Sequence, residues 1–203
     1  MDGTLVDSLG AVERMWSGYA ERFGIDVREL LATSHGVRMI ETIRRHTPHE
    51  DAEAIARELT RIELDDVEGI GPVAGAGDLL GAIPAASFAI VTSAIRPLAA
   101  KRMALCGLPF PATSVTAEDV SEGKPDPQGY LLGAARLGVA PSETIVFEDA
   151  EAGIRAGLAA GARVVVVGAH ESETTRGLPR LADYRGLHLV VEGADLVLDG
   201  KFA

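Results

Sequence analysis

Short, uninterrupted apolar runs punctuate the last two thirds of this sequence at the places where helical patterning stops. Phe88-Ala89-Ile90-Val91, Thr144-Ile145-Val146-Phe147 and the run from Arg163 to Val167 are each four or five residues long. Runs that short, set between helical stretches, read as strands buried on both faces. Helices are expected at 76–83, 96–106, 127–138 and 150–160, the third with Pro127 in its first turn and Gly138 at its end. Two further apolar runs lie at 188–191 and 195–198. The alternation predicts an α/β fold, a doubly wound core around a parallel sheet.

The first third reads differently. Residues 9–24 carry Val12, Met15, Trp16, Tyr19 and Phe23 at three- and four-residue steps, an amphipathic helix. Residues 36–46 and 50–66 predict further helices, and no strand is expected before residue 88. A glycine-rich stretch with Pro72, Gly69–Gly77, then breaks the helical period. The chain therefore divides into a small helical unit at 12–70, inserted into a core of 1–11 and 71–203.

Composition narrows the partners. The formal charge is -11, which repels nucleic-acid phosphates and anionic lipid, so neither nucleic acid nor membrane is expected as a partner. An anionic small molecule would need a locally positive site made by a metal and a few Lys or Arg. Cys106 is the sole cysteine, so no internal disulfide forms and a reducing, cytoplasmic setting is expected. No apolar run of membrane-spanning length occurs, and Met1-Asp2-Gly3-Thr4 lacks the order of a signal peptide.

Ligands of open parallel sheets sit beyond the carboxyl ends of the strands, so the polar residues there matter most. Val91 runs into Thr92-Ser93-Ala94, and Phe147 into Glu148-Asp149. Asp2-Gly3-Thr4 looks like a strand end whose strand is absent. Gly123-Lys124-Pro125-Asp126-Pro127 opens a helix from a loop. Singly, these are a turn, helix caps and a solvated lysine; their order in one chain is what departs from that reading.

Asp-Gly-Thr-Leu-Val-Asp-Ser at 2–8, then Thr92-Ser93, Gly123-Lys124-Pro125-Asp126-Pro127 and Glu148-Asp149 resemble the four motifs of haloacid-dehalogenase-superfamily phosphatases. The helical insert stands where the superfamily's first cap class stands. Ala11–Trp16, Ser34-His35-Gly36 and Phe147-Glu148-Asp149-Ala150 are also similar to bacterial sugar phosphatases and to yeast glycerol-phosphate and deoxyglucose-phosphate phosphatases. The resemblance implies a Rossmann-like core under a helical cap, and hydrolysis of a small phosphorylated sugar or polyol with Mg2+. It implies Asp2 as the general acid/base, its carbonyl facing the metal. Asp149 would be the metal-binding carboxylate, with Glu148 ligating directly or through water. Thr92 and the backbone N–H groups of Ser93 or Ala94 would hold the phosphoryl oxygens, and Lys124 would neutralise their charge. His35, Gly36 and Arg38 of the cap would reach sugar hydroxyls.

The family's nucleophilic aspartate falls two positions ahead of Asp2, before Met1, together with the first core strand. A natural start further upstream is the preferred expectation; a phospho-ligand binder without catalysis is the other. A mutase of the β-phosphoglucomutase type shares the four motifs but needs a cap that holds a second phosphate. A dehalogenase would not need Asp2 together with the Glu148-Asp149 pair. Oligomeric state is left open.

Overall fold

The computed structural model describes residues 1–192, 195–200 and 202. It is a mixed α/β protein whose main sheet is parallel. Strands β3 (Ile145–Glu148), β4 (Arg163–Val167) and β5 (Arg180–Leu181) lie in the order β3-β4-β5. Ile145 pairs with Arg163 and Glu148 with Val166. The burial of β4 explains why its sequence is an unbroken valine run. Val164 and Val166 pack with Ile154 in one cluster, while Val165 and Val167 pack with Leu79, Met103 and Leu181 in another. Successive strand residues point to opposite faces, so both faces are covered. Helix α8 (Glu151–Ala159) takes one side, and α5 (Ala76–Ala82) and α6 (Arg96–Leu105) take the other. Each fully buried Val or Leu contributes about 1.5–3 kcal/mol.

Before the core come α1 (Leu9–Phe23), α2 (Val27–Ser34), α3 (Met39–His46) and α4 (Ala52–Asp65). Their apolar faces form a separate cluster, with Met15, Trp16, Tyr19, Leu30, Ile43, Ile55 and Leu59 buried. Trp16 and Tyr19 meet edge to face at 5.4 Å between ring centroids. Helix α7 (Gln128–Leu137) ends on Gly138 in the left-handed conformation, and Pro127 is its N-cap.

Several expectations need correction. Helix α2 was not foreseen, and α3 starts at Met39, not 36. Two short strands lie before residue 88: β1 (Val6–Asp7) pairs antiparallel with β2 (Gly71–Pro72), tying the entry of the helical unit to its exit. Phe88–Val91 is not a full strand. Val91 makes an isolated parallel bridge with Val115, through Val115 N–H to Ile90 O at 2.7 Å and Thr92 N–H to Val115 O at 3.0 Å. Pairing on one side leaves it short of a ladder. The last two runs, β6 (His188–Glu192) and β7 (Asp195–Asp199), pair with each other antiparallel and not with the main sheet. The two residues between them are too few for the crossover that parallel pairing needs.

Candidate active site

The loop from Asp2 to Ser8 folds around one carbonyl. Met1 O accepts from the N–H groups of Thr4, Leu5 and Val6, and Gly3 N–H donates to Val6 O at 2.8 Å. Gly3 sits at φ 69°, and a Cβ there would come within 2.0 Å of Asp149 Oδ2. Glycine is what allows the Asp149 carboxylate to lie against this loop. Thr4 Oγ1 then donates to Asp149 Oδ1 at 2.7 Å, joining the first motif to the fourth across 145 residues.

Glu148 ends β3 and is almost fully buried. Lys124 forms an ion pair with its Oε1, and Tyr130 Oη donates to the same oxygen at 2.5 Å. Its Oε2 accepts the Asp149 N–H at 3.2 Å. Burial alone would raise the Glu148 pKa, but the Lys124 charge and hydrogen bond bring it below the ordinary value. Asp149 goes the other way: burial, then the neighbouring Glu148 charge, push it up. Both carboxylates feel Lys124 and the Met1 ammonium, yet Asp149 stays raised, so the pair remains short of positive charge.

A bound cation would relieve that shortage. The available ligand atoms are all oxygens, which suits a hard cation that keeps several waters. Nothing among the described residues donates to the Asp2 carbonyl. Among the described residues no three His, Cys, Asp or Glu side chains group closely enough to hold an ion by themselves. Side chains would thus supply part of a shell, with a backbone carbonyl and water supplying the rest.

Thr92 is buried and its Oγ1 accepts the Ala94 N–H at 3.1 Å. The hydroxyl proton is then free to donate, but the Ala94 N–H expected at the phosphoryl group is occupied. Ser93 is tied to the helical unit, its Oγ donating to Gly36 O at 2.7 Å. Gly36, at φ 76°, presses its backbone on Ala150, where a Cβ would come within 3.1 Å of the Ala150 Cβ. Arg38 pairs with Glu41 and donates to the carbonyls of Val120 at 3.0 Å and Ser121 at 2.7 Å. Glu41 Oε1 also accepts the Gly123 N–H at 3.1 Å. Arg38 and Gly36 therefore fasten the helical unit to the loops bearing Lys124 and Ser93. His35 is partly buried and makes no side-chain hydrogen bond among the described residues.

All ten residues singled out from the sequence line a single cleft of about 320 Å³: Asp2, His35, Gly36, Arg38, Thr92, Ser93, Ala94, Lys124, Glu148 and Asp149. Its far wall is mostly apolar and comes from α1, α3 and α4, with Met15, Trp16, Met39 and Ile40 among the lining. Sequence reasoning missed Tyr130, Ser8, Arg102 and Glu63. Ser8 Oγ donates to Asp2 Oδ1 at 2.6 Å. Arg102 of α6 reaches Asp2 Oδ1 at 3.0 Å and Glu63 Oε1 of α4 at 2.8 Å. Burial raises the Glu63 pKa, with the Arg102 charge pulling against it.

A haloacid dehalogenase-like hydrolase family model matches residues 1–161. The chain belongs to this family. Among its hydrolase relatives, hexitol phosphatase A of Escherichia coli is 48% identical over 83% of this chain and 81% of its own length. Glycerol-1-phosphate phosphohydrolase 2 of Saccharomyces cerevisiae is 31% identical over the whole chain and 83% of its own. Among solved structures of the fold, CbbY from Rhodobacter sphaeroides in complex with phosphate has a TM-score of 0.74 and 27% identity. That superposition covers 91% of this chain and 92% of that one. Asp2, Thr92, Ser93, Lys124, Glu148 and Asp149 of this haloacid dehalogenase-like hydrolase thus line one cleft. Among the described residues, no helix is long and apolar enough to cross a membrane.

Proposed function

We infer that the protein is a magnesium-dependent phosphatase of small sugar or polyol phosphate monoesters, acting in the cytoplasm through an aspartyl-phosphate. The observation that carries this reading is the meeting of Asp2, Thr92, Lys124 and the Glu148–Asp149 pair at one cleft, although they are remote in sequence. Residues 12–70 act as a cap and 1–11 with 71–203 as the core, in line with their separate apolar clusters. The substrate class follows the hexitol and glycerol 1-phosphate enzymes that the chain is similar to.

Phosphate esters resist hydrolysis unless a nucleophile, a proton for the leaving oxygen and positive charge are supplied together. In this reading a carboxylate two positions ahead of Asp2, outside residues 1–203, attacks phosphorus. The P–O bond to the sugar breaks and the leaving oxygen takes a proton from Asp2. Asp2 then accepts a proton from the water that attacks the aspartyl-phosphate, which frees the carboxylate and inorganic phosphate. Thr92 donates its hydroxyl to a phosphoryl oxygen, and Lys124 holds Glu148 ionised. When bound, magnesium supplies Lewis-acid stabilisation of phosphoryl charge; the Glu148 and Asp149 carboxylates and the Asp2 carbonyl would hold it. The apolar cap wall excludes water while leaving His35 uncommitted toward a hydroxyl.

A mutase is disfavoured by charge. The arginines and lysine that line the cleft are each paired within the protein: Arg38 with Glu41, Arg102 with Asp2 and Glu63, and Lys124 with Glu148. None is left over for a second phosphate. The test compares residues 1–203 with a chain extended upstream. Phosphate release is measured from a hexitol phosphate, glycerol 1-phosphate and β-glucose 1-phosphate. Release should disappear on chelation, return with magnesium, and be lost in Asp149→Asn. No release from either chain with any substrate would sink the reading, and glucose 6-phosphate from β-glucose 1-phosphate would make the protein a mutase.

A further inference from the structure

Asp2 is held by one oxygen only. Both Ser8 Oγ, at 2.6 Å, and Arg102 Nη1, at 3.0 Å, donate to Oδ1. No donor among the described residues engages Oδ2, and Asp2 lines the cleft. A carboxylate fixed through one oxygen and open at the other is what a directed proton transfer requires.

The arginine is expensive to keep. Its side chain is 3% exposed, and its Nε is buried with no hydrogen-bond partner among the described residues. A buried unsatisfied donor costs about 1–3 kcal/mol, and a hydrophobic residue at such a place is commonly as stable or more so. Its second arm, Nη2, donates to Glu63 Oε1 at 2.8 Å, and the Glu63 side chain is only 7% exposed. Asp2 belongs to the loop before α1, Arg102 to core helix α6 and Glu63 to α4 of the helical unit. One guanidinium therefore spans the acid/base, the core and the roof of the cleft.

We propose that Arg102 is a positioning residue for Asp2, and that its bond to Glu63 makes the position of Asp2 depend on how α4 is seated over the cleft. This rests on the acid/base reading of Asp2 given above. With α4 seated, Glu63 fixes the guanidinium plane, the guanidinium and Ser8 fix Oδ1, and Oδ2 stays turned to the leaving oxygen. If α4 lifts, the guanidinium loses one of its two anchors and holds Asp2 less firmly, leaving Ser8 as its fixed donor. Proton transfer is then tied to a covered cleft.

The experiment uses Arg102→Met, Arg102→Lys and Glu63→Gln in the chain that releases phosphate. A polyol phosphate and 4-nitrophenyl phosphate are compared, because nitrophenolate leaves without needing a proton. Misplacing a catalytic group by about 1 Å costs about 100-fold. Arg102→Met should therefore lower kcat/KM for the polyol phosphate by about 10–100-fold and change it less than about threefold for the aryl ester. Arg102→Lys should recover part of the loss, since an ammonium cannot make the two-armed contact. Glu63→Gln should give a smaller loss of the same kind. Equal losses on both substrates, or none, overturn the proposal. If Arg102→Met does not fold, the other two variants decide by the same ratio. A parent that releases no phosphate would defeat the phosphatase reading alone. The positioning claim is then decided by hydrogen exchange: Glu63→Gln must raise exchange at the amides of Gly3–Ser8, and unchanged exchange overturns it.

Discussion

Substituting Gly153 by Ala sets helix propensity against the carboxylate pair. Gly153 lies inside α8, where alanine is favoured by about 1 kcal/mol. An added Cβ would stand 2.1 Å from Glu148 Cδ and Oε1. Ordinary contact begins at 3.4 Å, so the carboxyl must retreat by the difference, about 1.3 Å. The Tyr130 hydrogen bond, now 2.5 Å, cannot survive such a move, and the Lys124 pair is pulled apart with it. Breaking a buried ion pair costs about 3–5 kcal/mol. The net expectation is destabilisation by about 2–4 kcal/mol, a large share of a domain's total of about 5–15 kcal/mol, along with loss of magnesium-dependent turnover. The control is Gly18→Ala in α1, where nothing lies within 4 Å of the new Cβ; it should stabilise by up to about 1 kcal/mol. Urea unfolding followed by circular dichroism measures both. A Gly153→Ala protein as stable as its parent and still active would refute the claim that Glu148 is clamped against α8.

Two further outcomes follow from the same contacts. Tyr130→Phe removes the hydroxyl on Glu148 and should weaken magnesium dependence by about 10–100-fold, read by titrating the metal against phosphate release. Asp119 accepts from Arg136, Arg96 and both donors of Thr116, and the Arg136 hydrogen bond is the largest cause of a pKa far below the ordinary 3.8. A depressed carboxylate stabilises fully above its unfolded pKa and loses that contribution as pH falls toward the folded value. Asp119→Asn should thus cost about 1–3 kcal/mol at pH 7, with the gap to the parent closing below about pH 4 in urea titrations.

The residues that meet at the cleft were legible from their order along the chain, at the ends of apolar runs and the starts of helices. Asp2, Thr92, Lys124 and Asp149 could be picked out without knowing the packing. Helical periods placed α1, α4, α5, α6, α7 and α8 to within about two residues, the usual fraying at helix ends. What escaped depends on tertiary partners. Helix α2 is eight residues long with only Leu30 and Ser34 buried, too short to set a period. Strands β1 and β2 are two residues each and exist because Val73 N–H meets Leu5 O at 2.9 Å. Arg102 looks like any solvated helix arginine until Asp2, 100 residues away, and Glu63, 39 away, are brought to it. Arg38 was read as facing a sugar hydroxyl; the 120–121 carbonyls to which it also donates lie 82 and 83 residues on, and that distance hid the contact.

The positive charges of the cleft are already balanced within the protein. A chain of formal charge -11 was expected to build a positive pocket from a metal and a few Lys or Arg. The Lys and Arg are present, but each is already neutralised by a carboxylate of the same site. Each also fastens a part of the site: Lys124 pairs with Glu148, Arg102 with Asp2, and Arg38 with Glu41, which binds the loop that carries Lys124. On the phosphatase reading, net attraction for a phosphoryl dianion would come from a bound cation and from hydrogen-bond donors such as Thr92. That arrangement couples phosphate affinity to metal occupancy and leaves polyanions with a second charged group without a counter-charge. The proposed phosphatase should therefore prefer monophosphates to bisphosphates, read as kcat/KM on a matched pair of substrates.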